Sequence, residues 1–474
     1  MTLDLTPFFA QVEGIPFKDR WAVMPFRGSI PVDKALIQQT WHELHQRMMP
    51  KSKRLMYIHI PFCATHCQFC GFYQNPLKQH DTAIYTQYLI QELLMDADSH
   101  LTQSAPIHAV YFGGGTPTAL SADQLHNIIS TIKSHYPLAP DCEITVEGRI
   151  LDFNDDKIDA CLEAGANRFS IGIQTFDSAI RKRLGRTSNK QQAITFLTNL
   201  AERDKAAVVC DLIFGLPQQT LQTWDEDLAI VNDLPLDGVD LYALNLLPTT
   251  PLFKGVENKR IVIADAQQKA EFYQRGVQRL DHDGWSQLSN SHFGKTTRER
   301  NLYNILIKQG ADYLAFGSCA GGNLNGQSFM IERNLENYYK QLDAQQKPLM
   351  MILQAGPQLT WLQLLQGGIE AGRVDLNRLT VQINALLPLI QQWHQAGLLM
   401  DDSPILRLTI SGRFWASNLL FALQKLLMAL NEPELAKKQI MAAGHHAQHG
   451  GKMPSEAAIN MMKNNAMKHN LANK

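Results

Sequence analysis

The feature that most constrains this chain is a short apolar strand that runs directly into three closely spaced cysteines. The strand is Tyr57-Ile58-His59-Ile60-Pro61-Phe62, and Cys63, Cys67 and Cys70 follow it with the spacing CxxxCxxC. A loop of this length lets three thiolates hold one [4Fe-4S] cluster while the backbone encircles it. The fourth iron then lacks a protein ligand and can chelate the amino and carboxylate groups of a methionine-derived cofactor. The motif therefore predicts a cluster that binds and activates a cofactor, in contrast to one that only carries an electron.

Other interpretations of these cysteines fit less well. A structural zinc site usually takes four ligands, often as two CxxC pairs, and no second pair exists here. Disulfides are typical of secreted chains, but the N-terminal sequence lacks the basic region and apolar run of a signal peptide. The remaining cysteines occur singly, and we expect most of them to be small buried side chains. They are Cys142, Cys161, Cys210 and Cys319.

Composition limits the possible partners. The formal net charge is −1 over 474 residues, which gives no electrostatic reason to expect nucleic acid or an anionic membrane as the main partner. No window contains the roughly 18 uninterrupted apolar residues that cross a bilayer. We therefore expect a cytoplasmic protein with no membrane span and no nucleic-acid partner.

Strand-like and helical patterns alternate along the middle of the chain. The apolar runs are 56–60, 107–112, 143–146, 168–173, 207–214 and 239–246. The amphipathic segments between them are 85–101, 122–136, 155–164, 190–203 and 224–234. This alternation is typical of right-handed βαβ units and a parallel sheet. It predicts an α/β fold, a partial (β/α)6 barrel whose ligands gather at the carboxyl ends of the strands.

The barrel is expected to be one of four parts. Residues 1–52 would be an N-terminal extension, with a helix at 34–48, that packs on the barrel at 53–290. Residues 291–430 would form a mostly helical, substrate-side and cap domain with a short strand at 405–410. Residues 431–474 would be a tail, in which His445, His446 and His449 could bind haem or iron or be incidental.

Polar residues at the strand ends are candidate ligand contacts. Gly113, Gly114 and Gly115 follow the second strand with Thr116, and glycines permit close approach of the backbone to a ligand. Acids, an amide and a guanidinium suit ribose hydroxyls and a carboxylate. Those candidates are Glu147, Gln174, Arg186 and Asp211. A helix cap or surface pair is the alternative role for each.

The cysteine segment and its flanks resemble the radical S-adenosylmethionine (SAM) superfamily, in the branch that includes anaerobic coproporphyrinogen dehydrogenase. The resemblance implies that the glycine run holds the methionine amino group and that the four polar candidates contact SAM. It also implies that Tyr57 and Phe69 flank the cluster and cofactor, although a core role is an alternative for both.

Local patterns distinguish the members of this branch. Coproporphyrinogen dehydrogenases usually have another cysteine where Phe72 stands, and haem-chaperone relatives usually have an aspartate where Gly71 stands and a Glu-x-x-Pro pattern at Glu147. This chain departs from both. Over residues 20–430 it resembles most the anaerobic haem-degrading radical SAM methyltransferases, the HutW/ChuW type. The segments that carry this resemblance are the cysteine loop, 147–149, 167–172, 295–304 and 315–322.

The resemblance implies a reaction on haem. One electron from a flavodoxin or an NAD(P)H-dependent donor would cleave SAM, and the resulting radical would activate the methyl group of a second SAM. Methyl transfer would open the porphyrin and release iron, and a haem-delivery or product-accepting protein could take part. The alternatives are oxidative decarboxylation of coproporphyrinogen III and haem binding without chemistry.

Roles near the substrate are less constrained. Lys295, Arg298 and Arg300 could bind propionate carboxylates, or belong to a solvated loop. His292 could be a haem ligand or general acid, although a structural role is favoured, and Cys319 could donate hydrogen to the product or simply pack. The sequence does not locate the second SAM.

Overall fold

The fold is built on one large mixed sheet. The structure is a computed structural model that describes residues 3–21, 29–48 and 52–433. Its strands are β1 (Ile30–Pro31), β2 (Arg54–Ile60), β3 (Phe62–Cys63), β4 (Asn75–Pro76), β5 (Ile107–Gly114), β6 (Leu138–Gly148), β7 (Arg168–Gln174), β8 (Ala207–Phe214), β9 (Gly238–Ala243), β10 (Ser286–Gln287), β11 (His292–Gly294), β12 (Asp312–Phe316), β13 (Gly321–Leu324), β14 (Gln327–Ile331), β15 (Leu349–Gln354), β16 (Arg373–Asp375) and β17 (Ile405–Arg407).

The six strands expected from the sequence are present as a parallel series. They are β2, β5, β6, β7, β8 and β9, each hydrogen-bonded to the next. A seventh parallel strand, β12, pairs with β2 on its free side. The sheet continues antiparallel through β13, β14, β15 and β1 at one end and through β11 and β10 at the other. The α/β prediction is confirmed, and the described strands form an open arc.

Helices lie on both faces of this arc and in the C-terminal region beyond it. They are α1 (Ile37–His45), α2 (Thr82–Ala97), α3 (His100–Gln103), α4 (Ala122–His135), α5 (Asp155–Ala164), α6 (Ser178–Arg183), α7 (Lys190–Ala201), α8 (Leu221–Asp233), α9 (Pro251–Glu257), α10 (Ala266–His282), α11 (Leu302–Lys308), α12 (Leu335–Asp343), α13 (Leu359–Ala371), α14 (Leu387–Gln395), α15 (Ile410–Phe414) and α16 (Ala416–Asn431).

The helices between the parallel strands begin where the sequence supplies an N-cap. A side-chain oxygen accepts the orphan backbone N–H of the first turn at Asp81, Ser121, Asn154, Asn189, Thr220 and Asp265. Within β2, the alternate residues Met56, Ile58 and Ile60 are fully buried in the main core. On the inner face, Tyr303 and Leu306 of α11 pack against β2 and β5. Side chains of α11 therefore occupy part of the inside of the arc.

The C-terminal part contains more strand than the sequence pattern indicated. Residues 312–354 add β12 to β15 to the barrel sheet, so the helical region begins after Gln354. The strand expected at 405–410 spans only Ile405–Arg407, because Thr409 caps the helix that begins at Ile410. Local periodicity identified these strands poorly because most are only four to six residues long.

The N-terminal extension contacts two regions. The helix expected at 34–48 is a short 3₁₀ turn followed by α1, which packs on the sheet edge through Trp41 against Phe329. Residues 3–21 instead pack on the C-terminal helices, where Trp21 contacts Phe421 and the Trp393 indole donates to the Phe8 carbonyl at 2.9 Å. Within the described residues, no helix has both the length and the apolar character needed to span a bilayer. The histidines at 445–449 lie outside the described residues.

Candidate active site

A cavity of about 680 Å³ opens at the carboxyl ends of the parallel strands. Residues predicted from widely separated segments converge on its wall. They are Cys63, Cys67, Phe69, Cys70, Gly115, Thr116, Glu147, Gln174, Arg186 and Asp211. Their roles as cofactor contacts remain predictions, but the structure brings them to one place. Sequence reasoning missed several other wall residues, namely Arg20, Arg149, Ser170, Tyr242 and Lys308.

The three cysteines lie in a partly buried loop beside this cavity. The Cys63 Sγ accepts from the Thr116 hydroxyl at 3.4 Å, and the Cys70 Sγ accepts from the Phe72 backbone N–H at 3.4 Å. Burial raises the pKa of the Cys63 and Cys70 thiols. Within the described residues, no three His, Cys, Asp or Glu side chains surround a point that one metal ion could fill. Thiols that bind three different irons of a cube need not converge on one point.

Two guanidinium groups next to the cysteines fit an anionic cofactor. Arg149 donates to the Thr65 carbonyl at 3.2 Å and to its hydroxyl at 2.9 Å, and Arg186 donates to the Gly172 carbonyl at 3.1 Å. The Nε atom of each arginine is buried without a hydrogen-bond partner. Burial lowers the pKa of Arg186, and the adjacent Cys67 acts in the opposite direction. Positive charge with unused donors suits a thiolate-ligated cluster and a carboxylate.

The glycine run lets β5 lie close to the cysteine loop. A Cβ on Gly115 would lie 2.7 Å from the Phe62 carbonyl oxygen, and one on Gly114, where φ is +109°, would lie 2.6 Å from the His59 ring. A Cβ on Gly113 would lie 3.0 Å from the Glu147 carboxylate. Of the three glycines, Gly115 lines the cavity. The structure thus gives the run a packing role in addition to the predicted contact with an amino group.

Two partly buried acids line the cavity. Glu147 accepts from the Tyr111 hydroxyl at 2.6 Å, and Asp211 accepts from the Ser170 hydroxyl at 3.1 Å. Burial raises the pKa of Glu147 to about 7 and also raises the pKa of Asp211. Glu147 can therefore hold a proton near neutral pH, and both carboxyl groups can form hydrogen bonds with ligand hydroxyls. Gln174 ends β7 with a φ of +72°, which marks a sharp change of chain direction.

His292 belongs to a hydrogen-bonded network beneath the cavity. Its Nδ1 lies 2.5 Å from the Ser289 hydroxyl, and its Nε2 lies 3.1 Å from the Tyr242 hydroxyl and 3.7 Å from Asp240. Burial lowers the pKa of His292 and raises the pKa of Asp240. His292 does not line the cavity, whereas Tyr242 does. Asp240 and Tyr242 are two residues apart on β9, so they lie on the same face of the sheet, and Asp240 pairs with Asp211 of β8. This spacing of two along a strand could have identified both residues from the sequence.

Tyr57 and Cys319 lie outside the cavity wall. Tyr57 stacks on Tyr303 with ring centroids 6.1 Å apart, and its hydroxyl lies 3.1 Å from the His59 Nδ1. Cys319 has a φ of +74°, and its Sγ donates to the Gln74 Oε1 at 2.6 Å. Burial raises the pKa of the Cys319 thiol. Phe69 does line the cavity, beneath the Arg186 guanidinium at 5.9 Å from its ring centroid.

The three candidate propionate ligands are not brought to the cavity. The Lys295 Nζ donates to the Asn232 carbonyl at 2.7 Å, Arg298 pairs with Asp204, and Arg300 pairs with Asp141 at 2.9 Å. These partners precede or begin the strands β9, β8 and β6, so the three cations lie at the amino ends of the strands, opposite the cysteines. Their positions in the sequence gave no indication of which edge of the sheet they occupy.

Comparison with known proteins adds three similarities in sequence. The model of the Radical SAM superfamily matches residues 57–231. Anaerobilin synthase of Escherichia coli O157:H7 is 57% identical over 92% of this chain and 99% of that protein. Heme chaperone HemW of Bacillus subtilis (strain 168) is 29% identical over 57% of this chain and 71% of that protein.

A solved structure shares the architecture. Coproporphyrinogen III oxidase (HemN) from Escherichia coli aligns with a TM-score of 0.70 over 86% of this chain and 96% of that chain, at 21% sequence identity. At this identity the likeness shows a common fold alone.

Proposed function

Because this chain belongs to the radical SAM superfamily, in the family of anaerobic haem-degrading enzymes that includes anaerobilin synthase, we propose that it opens the haem macrocycle without oxygen and releases iron. The observation that carries the proposal is 57% identity across 99% of that relative. The convergence of three thiols and two guanidinium groups on one cavity supports it. The alternatives, decarboxylation and simple haem carriage, are supported only by more distant relatives.

The superfamily implies a [4Fe-4S] cluster and SAM, and the residues present fit both. Cys63, Cys67 and Cys70 would hold the cluster through three irons, leaving one iron for SAM. When bound, the two cofactors supply a carbon-centred radical. Arg186 would face the SAM carboxylate, because its Nε is buried beside the cysteines without a partner.

The remaining wall residues would orient SAM and exclude water. Glu147 and Asp211 are partly buried carboxyl groups whose pKa values are raised by burial, and both can form hydrogen bonds with ribose hydroxyls. Gln174 adds an amide at the same edge of the sheet. This arrangement favours positioning by hydrogen bonds over proton transfer to the reacting atoms.

Methyl transfer with two SAM molecules per turnover is part of the proposal. It is supported by the resemblance of the cysteine loop and of residues 147–149 to haem-degrading methyltransferases. Reductive cleavage of the SAM sulfonium requires one electron. In this proposal a flavodoxin or an NAD(P)H-dependent donor supplies it. A haem-delivery or product-accepting partner remains compatible with this scheme.

Haem would enter at the mouth of the cavity. Its propionates need cations, and Arg20 and Lys308 line the cavity whereas Lys295, Arg298 and Arg300 do not. Lys308 also pairs with Glu370 at 3.0 Å, which fixes its side chain beside the opening. We therefore assign propionate binding to Arg20 and Lys308.

The proposal is tested by anaerobic reconstitution of the protein with iron and sulfide, followed by haem, SAM and a reductant. We expect bleaching of the Soret band, release of iron and a methylated linear tetrapyrrole detected by mass spectrometry. Cys67→Ala should lose iron binding and SAM cleavage together. Carbon dioxide from coproporphyrinogen III, or haem bound intact, would instead establish one of the alternatives.

A further inference from the structure

A groove of about 860 Å³ lies on the outer side of the barrel, behind the cysteine loop. Its walls come from α6, α9, the start of α8 and the loop at 260–264, and they are mainly apolar. The apolar wall residues include Ile180, Leu184, Leu216, Leu252, Ile261 and Val262. Val262 is 84% exposed, so the groove offers an apolar surface to solvent. We refer to it as the outer groove.

Basic residues dominate the rim of the outer groove. Arg183 and Arg260 line the groove and are exposed. Lys182, Lys254 and Lys259 are also exposed and lie within two residues of lining residues in the sequence. The acids nearby are Glu257, Asp265 and Glu271. The balance of charge therefore favours an acidic partner.

The outer groove is attached to the cysteine loop by direct hydrogen bonds. The Gln68 backbone N–H donates to the Leu184 carbonyl at 3.1 Å, and the Gln68 carbonyl accepts from the Leu252 N–H at 2.9 Å. Gln68 itself lines the groove and is adjacent in sequence to Cys67. One wall of the groove is thus the backbone that carries the cysteines, on the side away from the SAM cavity.

From this geometry we propose that the outer groove is the docking site of a small acidic one-electron donor protein with an exposed flavin edge. The inference rests on the proposed function, in which the cluster must be reduced while SAM and haem fill the other side. The donor's flavin hydroquinone loses one electron and becomes the semiquinone, and that electron takes the cluster from the 2+ to the 1+ state. Because electron transfer rates fall steeply with distance, a surface that contains Gln68, the neighbour of Cys67, suits this purpose.

The test compares two charge-reversed variants of the reconstituted full-length protein. Lys182→Glu/Arg183→Glu changes the rim, and Lys205→Glu/Lys340→Glu makes the same change of charge at exposed lysines elsewhere. Cluster reduction by purified flavodoxin hydroquinone is followed by stopped-flow absorbance and by electron paramagnetic resonance, without haem. Flavodoxin binding is measured by calorimetry at low and high salt.

We expect the rim variant to lose at least tenfold in the rate of reduction and in flavodoxin affinity at low salt, and to lose most of the salt dependence. The control variant should stay within twofold of the unchanged protein. Reduction by dithionite, which is too small to need docking, should be the same for all three proteins. Equal rates with flavodoxin, or equal losses with dithionite, would overturn the proposal. Because haem is absent, this result is independent of whether the protein degrades haem.

Discussion

At the scale of single residues, the site combines partly buried acids with two guanidinium groups whose Nε atoms are buried without a hydrogen-bond partner. Glu147 and Arg149 are two residues apart at the end of β6, yet their environments differ. Glu147 accepts a hydrogen bond from the Tyr111 hydroxyl, whereas Arg149 donates to Thr65 of the cysteine loop. Each therefore predicts a different measurable effect.

Glu147→Gln should make folding stability less dependent on pH. Burial raises the pKa of Glu147 from 4.5 to about 7, so the folded protein binds an extra proton between these values. This contribution to the free energy of unfolding is present below pH 4.5 and is lost as pH rises through 7, with an upper limit of about 3 kcal/mol. Urea unfolding of the apoprotein at pH 5 and pH 8 measures it. Exposed Glu202→Gln is the control, and an identical pH dependence in Glu147→Gln would contradict the assignment.

Arg149→Met should make the cluster harder to reduce. Reduction adds negative charge, which a neighbouring guanidinium stabilises, so its removal should lower the midpoint potential by roughly 59 mV, equivalent to about 1.4 kcal/mol for one electron. Redox titration followed by electron paramagnetic resonance measures the potential. Arg149→Lys should restore most of the lost potential, because it returns the positive charge. It does so although a lysine cannot make both hydrogen bonds that Arg149 makes to Thr65. An unchanged midpoint potential in Arg149→Met would show that the guanidinium only holds the cysteine loop through Thr65 and does not stabilise the reduced cluster.

At the scale of elements, the end of β5 and the cysteine loop support each other. The Gly115 N–H donates to the Ile60 carbonyl at 2.8 Å, which fixes the glycine run against the end of β2. The loop leaves this point as β3, which pairs with β4. The conformation of the cysteines thus depends on the backbone of a neighbouring βα unit.

Gly115→Ala should disturb the loop although it adds one methyl group. The new Cβ would lie 2.7 Å from the Phe62 carbonyl oxygen and 3.0 Å from that of Ile60, and neither backbone atom can move freely. We expect a loss of about 1–3 kcal/mol in stability and less bound iron after reconstitution. Gly321→Ala is the matched control, because its Cβ would meet only the Phe329 carbonyl oxygen at 3.6 Å. The melting temperature and the iron content after reconstitution are measured for both variants. Full iron content and unchanged stability in Gly115→Ala would contradict the prediction.

At the scale of the whole molecule, the sequence predicted the parallel core and several residues of the cavity wall. Strand ends in a parallel sheet share one edge, so Glu147, Gln174 and Asp211 could be placed together without coordinates. Lys295 could not be placed in this way, because β11 runs antiparallel to β9 and carries the following residues to the opposite edge. Arg20 was missed because its position depends on how residues 3–21 pack on distant helices, which local periodicity does not encode.

This difference between the two edges predicts which cations bind haem. Arg20→Met/Lys308→Met should raise KM for haem about tenfold, as expected for a loss of about 1.4 kcal/mol of binding energy, while SAM cleavage without haem stays unchanged. Lys295→Ala/Arg298→Ala/Arg300→Ala should leave KM within twofold, because these side chains bond to groups at the amino edge. Steady-state kinetics across haem concentrations checks both variants. A raised KM in the triple variant together with an unchanged KM in the double variant would instead assign propionate binding to Lys295, Arg298 and Arg300.

The position of β12 has a consequence for how the protein is made. β2, which leads into the cysteines, has β5 on one side and β12 on the other, and β12 is formed by residues 312–316. A nascent chain lacks that second neighbour until residues 312–316 have been synthesised, and contacts between such distant segments form late in folding. Iron and sulfide should accordingly enter only after these residues have been made, so insertion of the cofactor is a late step in the biogenesis of the protein.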